Sequence, residues 1–241
     1  MSVGSILGDA FALYRLLFRR SVAAAAIVYA FVALVELAAN LPEDRTTRWT
    51  VGGVAFALGC AGPVLVQGAL VRIVRNIHEG QRPERTGALL RAAGARFGSL
   101  LLASIVYGVG IVLGLLLLIV PGLIVAARWC LMAPLIMLEG RSSGEARRRS
   151  AEVVEGNTGT VLGAIVVEFL LVLAIYVAFV AAAGLPDYGS PPDVLVTFVW
   201  GSLTTPFTAH VLTVIYYHLV DPDRPVIHDA VSTWRSPWVE G

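Results

Sequence analysis

Lysine is absent from this chain, and charged side chains of every kind are scarce. Only 15% of the 241 residues are charged, whereas soluble proteins average about 25%. The net charge of +1 also excludes the basic surface that nucleic-acid binding requires. Hydrophobic residues, by contrast, make up 57% of the chain, and the mean hydropathy is +0.77. These two deviations together favour a membrane protein over a soluble one.

Cysteines and catalytic motifs are equally scarce. Cys60 and Cys130 both lie inside apolar segments, so we expect two buried thiols and no disulfide framework. The chain contains no H-E-x-x-H motif, no G-x-S-x-G motif and no Walker loop. We therefore expect no enzymatic activity, no catalytic residues, no cofactor and no metal site. His210 has no clustered partner, which favours a hydrogen-bonded interior histidine over a metal ligand.

Six apolar segments approach the length of about 20 residues that a membrane-spanning helix needs. The predicted fold is all-α: a polytopic membrane protein with six transmembrane helices in three helical pairs and short amphipathic helices on the cytoplasmic side. The fourth segment follows the third through the Pro121–Gly122 turn alone, which predicts a tight hairpin. The segments are Ser21–Leu41, Thr50–Val74, Ser99–Val120, Gly122–Leu138, Thr160–Gly184 and Val194–Val220.

The distribution of arginine predicts the orientation. Fifteen of the 18 basic residues fall in the segments that would share one side of the membrane, whereas only Arg45 and Arg48 fall on the other. Arg128 lies inside the fourth segment. Because arginine accumulates in cytoplasmic loops, we expect a multi-pass protein of the bacterial plasma membrane with both termini in the cytoplasm.

The chain reads as one integral membrane domain, 1–241, made of three pseudo-repeats. The predicted units cover about 4–79, 80–139 and 140–221, followed by a short cytoplasmic tail, 222–241. Pro63, Pro121 and Pro206 fall at similar places in the second segment of each unit. Internal repeats often place a binding site at their interface, but duplication can also leave only a scaffold.

Each unit starts with a short amphipathic segment rich in arginine. In the first segment, Phe11, Tyr14 and Phe18 share a helical stripe with other apolar residues. Such a helix would lie at the inner membrane surface, with its arginines near anionic lipid headgroups. The alternative is a connector packed on the end of the bundle. The third segment opens with a capping box from Ser142 to Glu145.

Four ionisable residues inside the segments form a candidate intramembrane polar or ligand site: Glu36, Arg128, Glu168 and His210. Their depths, counted along each segment, predict two pairs, Glu36 with Arg128 and Glu168 with His210. Arg128 could instead reach Glu168. The pairs would form an ion path, a proton path or a site for a lipid headgroup, or they would hold the helices in register.

The region from the predicted hairpin to the start of the fifth segment resembles the bacterial membrane-domain family named after glycerophosphoryl diester phosphodiesterases. The residues that carry the resemblance are Pro121, Gly122, Arg128, Glu139, Gly140, Arg149 and Ser150. The resemblance implies a six-span membrane module. The phosphodiesterase barrel of some relatives needs about 250 residues, so we do not expect its activity in these 241 residues. His218 and Val220 depart from the closing motif of the family.

These observations predict a non-enzymatic membrane module that organises lipid or partner proteins. The alternative is a small transporter or lipid-translocating protein that uses the buried arginine, glutamate and histidine groups. Anionic lipids at the cytoplasmic face, a protein partner or a second copy of the chain are the expected partners.

Overall fold

A computed structural model describes residues 1–39, 44–81, 84–184 and 190–222, apart from the side chains of residues 45, 48, 182 and 183. Across these residues the protein is helical and contains no strand. Six helical segments are long and apolar enough to span a membrane, which confirms the predicted all-α membrane fold. These segments are Val3–Ala39, Trp49–His78, Phe97–Leu117, Ile119–Leu138, Thr158–Ala181 and Pro191–Val220.

The described residues form nine helices. They are α1 (Val3–Ala39), α2 (Arg45–His78), α3 (Thr86–Ala95), α4 (Phe97–Leu117), α5 (Ile119–Trp129), α6 (Met132–Leu138), α7 (Ser143–Val154), α8 (Thr158–Ala183) and α9 (Pro191–Val220). The expected loop residues at 40–43 and 185–189, Arg82, and the tail from residue 223 lie outside the described residues.

The core is concentrated at one end of the molecule. This end, called here the arginine-rich end, consists of the first 18 residues of α1, the last nine residues of α2, α3, α6, α7 and the last ten residues of α9. Its largest buried side chains include Ile6, Leu13, Leu70, Leu135 and Ile215. The other end exposes large apolar side chains on α4, α8 and the second half of α1. A bundle that is apolar on its outside is typical of a membrane-embedded protein.

The segment predicted as a single fourth helix is broken into α5 and α6 at Cys130 and Leu131. Pro134 explains the break, because it has no N–H to donate to the Cys130 carbonyl and its ring disfavours a continuous helix there. The Ser150 hydroxyl of α7 occupies the gap: it donates to the Arg128 carbonyl over 2.7 Å and accepts from the Leu131 N–H over 3.2 Å. The expectation of an unbroken helix is therefore corrected.

The predicted tight hairpin joins α4 to α5. Gly110 and Gly114 form a G-x-x-x-G pattern on α4, and small residues of this kind let two helix backbones approach closely. Gly114 lies against the backbone of Gly122, and Gly110 lies under the ring of Trp129, so neither has room for a side chain. Tyr107 ties the two helices lower down by donating to the Ala126 carbonyl over 3.1 Å.

The two central connecting helices fold back along the helix that precedes them. Helix α3 packs on the end of α2, where Arg72 donates to Glu84 over 2.9 Å. Helix α7 packs on α6 and begins with the predicted capping box between Ser142 and Glu145. The reversal before α7 passes through Gly140, whose φ of +72° favours glycine.

The first amphipathic segment is part of α1 and packs against the bundle. Ile6 is fully buried and Leu17 is 1% exposed, whereas Phe11 and Phe18 point outward at 53% and 42% exposure. The residues of the predicted stripe therefore lie on two faces of α1. The inner face packs against the bundle, as the alternative of a packed connector predicts. A second correction concerns Cys60, which is exposed on the apolar surface of α2, whereas Cys130 is buried as expected.

Candidate functional site

Arg128 lies at the arginine-rich end, far from the residue predicted to pair with it. Its guanidinium Nη2 is 3.7 Å from a carboxylate oxygen of Glu155, which follows α7. Glu36 instead lies beside Gly59 of α2. The predicted pair of Glu36 with Arg128 is therefore wrong.

The error in this pair comes from the starting point of the depth count. Counting from the Pro121–Gly122 turn treats that turn as the outer membrane boundary. The structure shows that α7 runs back beside α6 and brings the polar residues around Glu155 level with Arg128. Arg128 therefore belongs to the level of the arginine-rich end.

Glu168 and His210 also have partners other than those predicted. Glu168 is 8% exposed and accepts a 2.5 Å hydrogen bond from the Thr208 hydroxyl. His210 is fully buried between α1 and α9, with its Nε2 3.0 Å from the Ser21 hydroxyl. Thr208 and His210 are two residues apart on α9, about 200° around the helix, so they face different neighbours. The predicted pair of Glu168 with His210 is wrong.

The structure instead reveals a groove between α8 and α9, called here the α8–α9 groove. Helix α8 contacts α9 much less than α1 does. The upper part has a volume of about 400 Å³, within the range of about 300–1,000 Å³ usual for small-molecule sites. It adjoins a lower part of about 210 Å³, and Val172 lines both. The polar and aromatic lining residues are Gln67, Phe169, Tyr176, Asp193, Thr197, Trp200, Thr204, Thr205 and Thr208.

One face of α9 supplies most of this polar lining. Its residues recur at spacings of three or four, which places Asp193, Thr197, Trp200, Thr204 and Thr208 on the same side of the helix. From Asp193 to Thr208 the row covers about 22 Å at 1.5 Å per residue. Thr208 is level with Glu168, which lies about 15 Å along α8 from its start. The row therefore runs from near the middle of a hydrocarbon core about 30 Å thick towards the end of the molecule opposite the arginine-rich end.

Two contacts hold α8 against this face at different depths. The rings of Tyr176 and Trp200 meet edge to face with centroids 5.1 Å apart. About 12 Å further along each helix, Thr208 donates to Glu168. Between them, Thr204 turns its hydroxyl onto the Trp200 carbonyl of its own helix over 2.8 Å. The middle of the groove therefore presents methyl groups and satisfied hydroxyls.

Among the described residues at the groove, two carry carboxyl groups. Asp193 lines the upper end, and Glu168 lies behind Thr208 at the lower end. Carboxyl and hydroxyl oxygens accept hydrogen bonds. The groove therefore suits a ligand that carries hydrogen-bond donors, placed beside an apolar chain in the surrounding membrane.

None of the residues that carried the family resemblance is among the described lining of the groove. Pro121 and Gly122 belong to the α4–α5 hairpin, and the other five lie towards the arginine-rich end. Ser150 bridges the break between α5 and α6 through Arg128, as described above. Glu139 contacts Arg141 at 2.5 Å and accepts from the Tyr216 hydroxyl over 3.2 Å. Arg149 is 3.6 Å from Glu152 on the exposed side of α7. This set holds α6, α7 and α9 together.

Sequence reasoning missed the threonines of α9. Thr197, Thr204, Thr205 and Thr208 are spaced for one helical face, and that spacing was readable from the sequence. They were overlooked because uncharged hydroxyls are common in membrane helices and satisfy themselves on the backbone. Only the structure shows that α8 leaves this face partly uncovered.

Within the described residues, no group of three or more histidine, cysteine, aspartate or glutamate side chains is placed to hold a metal ion. No family model, no curated protein and no solved structure matches this chain. The resemblance to the membrane-domain family named after glycerophosphoryl diester phosphodiesterases therefore stays a prediction.

Proposed function

We propose that this chain is a non-enzymatic plasma-membrane module that binds and organises lipid through the α8–α9 groove. The observation that carries the proposal is the polar row of α9, which lies in a groove between two apolar helices. Membrane-facing surfaces are ordinarily apolar, because an unsatisfied polar group costs several kcal/mol in hydrocarbon. A row of polar groups at this position suits a ligand that already resides in the membrane.

The chemistry of the groove favours a particular class of headgroup. Among the described lining residues there is no arginine, and the threonine hydroxyls and the Asp193 carboxyl group offer hydrogen-bond acceptors. A lipid whose headgroup donates hydrogen bonds, such as phosphatidylethanolamine, would place its ammonium group among them. An acyl chain would follow the apolar wall formed by Phe169, Val172 and Leu173.

Anionic lipids form the second part of the proposal. They would gather at the arginine-rich end, which we place at the cytoplasmic face because arginine marks that side. There, Phe11 and Phe18 are exposed on α1, and Arg15 lies with its guanidinium 6.0 Å from the Phe11 ring centroid. Aromatic rings next to arginine suit the interface between headgroups and acyl chains.

The depth of the polar row favours lipid translocation as a second candidate function. A row of about 22 Å could bring a headgroup from the far end of the molecule to the middle of the bilayer while its chains stay in hydrocarbon. Purified protein in vesicles that contain a fluorescent phosphatidylethanolamine would decide between the candidates. A module that only binds lipid leaves half of the fluorophore protected from dithionite, whereas a translocating protein exposes nearly all of it.

A groove-filling variant tests the lipid proposal itself. Thr197→Leu adds bulk inside the groove, and Val199→Leu makes a matched change on an exposed face of α9 that does not line it. Titration with spin-labelled phosphatidylethanolamine should show binding that Thr197→Leu weakens at least tenfold and Val199→Leu leaves unchanged. Equal binding by all three proteins, or a preference for phosphatidylglycerol at the groove, would contradict the proposal.

A further inference from the structure

The α4–α5 hairpin ends in an uninterrupted apolar surface. From residue 108 to residue 127 every residue is glycine, alanine, proline, valine, leucine or isoleucine, and this stretch includes the turn. Leu116 and Leu117 are each 77% exposed there, and Leu118 is 69% exposed. By contrast, α2 and α9 begin with the polar N-caps Asp44 and Ser190. The hairpin therefore carries none of the polar residues of a turn that faces water.

The charged side chains around Arg128 set the lower limit of the hydrocarbon beside the hairpin. Glu155, which pairs with Arg128, has a side chain that is 73% exposed. The Arg147 guanidinium lies over the Trp129 ring, 5.2 Å from its centroid. Exposed charges of this kind are costly in hydrocarbon. The membrane boundary therefore crosses α5 near Arg128. Because Tyr107 of α4 is hydrogen-bonded to Ala126 of α5, the boundary crosses α4 near Tyr107.

Above this boundary the hairpin is short. Leu118 is ten residues from Arg128, or about 15 Å at 1.5 Å per residue. Helix α8 starts just after Glu155 and continues for 26 residues, or about 39 Å. A hydrocarbon core is about 30 Å thick. Helix α8 is therefore long enough to cross it from this level, whereas the hairpin reaches only its middle.

We propose that the α4–α5 hairpin is a re-entrant element that inserts into the leaflet at the arginine-rich end and turns back near the bilayer centre. Its partner is the acyl-chain region of that leaflet, which covers the exposed side chains of residues 115–120. Length and composition alone allow both arms to span a membrane. The level of the surrounding charges limits how deep they go.

Two backbone hydrogen bonds close the turn. Only Leu118 leaves helical geometry between α4 and α5; its N–H donates to the Gly114 carbonyl over 3.0 Å, and its carbonyl accepts from the Gly122 N–H over 3.5 Å. Pro121 has no N–H at a helix start where that group would lack a partner. The proposal does not depend on the α8–α9 groove, and it leaves both termini on the same side of the membrane.

Depth measurements on the full chain test the proposal. Leu118→Cys and Ser190→Cys would be made with Cys60→Ser and Cys130→Ala, labelled with bimane, and reconstituted with phosphatidylcholines brominated at different acyl positions. Bimane at position 118 should be quenched best by bromines near the chain ends. Bimane at position 190, the control at the far end of the molecule, should be quenched best by bromines near the headgroup.

Labelling from each side gives the decisive outcome. A membrane-impermeant maleimide should reach Ser190→Cys from one side and Thr86→Cys, at the arginine-rich end, from the other, but should not reach Leu118→Cys from either. Reaction of Leu118→Cys from the Ser190 side, or best quenching by bromines near the headgroup, would overturn the proposal. Leu116→Cys repeats both measurements should Leu118→Cys fail to fold.

Discussion

At the residue scale, the two buried residues predicted to pair with each other, Glu168 and His210, contact hydroxyls instead. Glu168 is bonded by Thr208, His210 by Ser21, and Tyr29 by Thr205 at 2.7 Å. A hydroxyl satisfies a buried polar atom without the desolvation of a second ion, which is the main cost of a buried salt bridge. Pairing by charge and depth therefore failed, because it considered neither the helix face nor the hydroxyls.

The bond between Thr208 and Glu168 gives a stability prediction. Thr208→Val keeps the shape of the side chain but removes the hydroxyl that donates to the buried carboxyl group of Glu168. We expect a loss of about 1–3 kcal/mol, the usual cost of leaving such a group unsatisfied. Combining the change with Glu168→Leu should recover most of the loss, because the polar group is then gone. Thermal unfolding in detergent measures both effects.

Thr204→Val is the matched control for this experiment. Its hydroxyl donates to the Trp200 carbonyl of its own helix, and it has no hydrogen bond to α8 among the described residues. The Trp200 carbonyl is a backbone acceptor of the helix and does not depend on this hydroxyl. The change should therefore cost less than half as much as Thr208→Val. Equal losses for the two variants would mean that Glu168 does not depend on Thr208.

At the scale of elements, the connecting helices show which structural features could be predicted from the sequence and which could not. The capping box at Ser142 is local, and it was predicted and is present. The break at Cys130 was also readable, since Pro134 removes a specific helical hydrogen bond. The direction in which α7 folds back was not readable, because it depends on contacts with α6 that are distant in sequence. Because α7 folds back in this direction, its polar residues lie level with Arg128, and Arg128 belongs to the arginine-rich end.

The link between α2 and α3 gives a pH-dependent prediction. Hydrogen bonds from the Arg72 guanidinium hold the pKa of the Glu84 carboxyl below its usual range. Because the pKa of Glu84 is lower in the folded protein, its contact with Arg72 stabilises the fold at pH values above the unfolded-state pKa of about 4.3. This stabilisation is lost as the pH falls through the lower pKa of the folded state. At neutral pH, Glu84→Gln should cost about 0.2–1 kcal/mol, as expected for a partly exposed pair.

Unfolding midpoints measured from pH 7 to pH 3.5 check this sign. The difference between the original protein and Glu84→Gln should be largest at neutral pH and become smaller towards the acid end. Glu152→Gln, which removes an exposed carboxyl 3.6 Å from Arg149, serves as a control at the same end of the molecule. A difference that grows on acidification would contradict the role given to Glu84.

At the scale of the whole molecule, the protein consists of a packed arginine-rich end and an apolar membrane part. Composition and run length were enough to predict six helical segments, because both report directly on the solvent. They could not predict the packed end, since its core residues, such as Leu135 and Ile215, look like the continuation of a span. The three-unit pattern stays a prediction, as does the family resemblance.

The orientation of this two-part molecule is the last prediction. Arginine is concentrated at one end, and its accumulation in cytoplasmic segments predicts that this end and both termini face the cytoplasm. Thr46→Cys lies at the start of α2 and Thr86→Cys at the start of α3, at opposite ends of the described structure. With Cys60 and Cys130 replaced, an impermeant maleimide added to intact cells should label position 46 and leave position 86 unlabelled until the cells are permeabilised. Labelling of position 86 in intact cells would reverse the orientation. It would also place the exposed Phe11 and Phe18 of α1 in the opposite leaflet, away from the anionic lipids proposed as their partners.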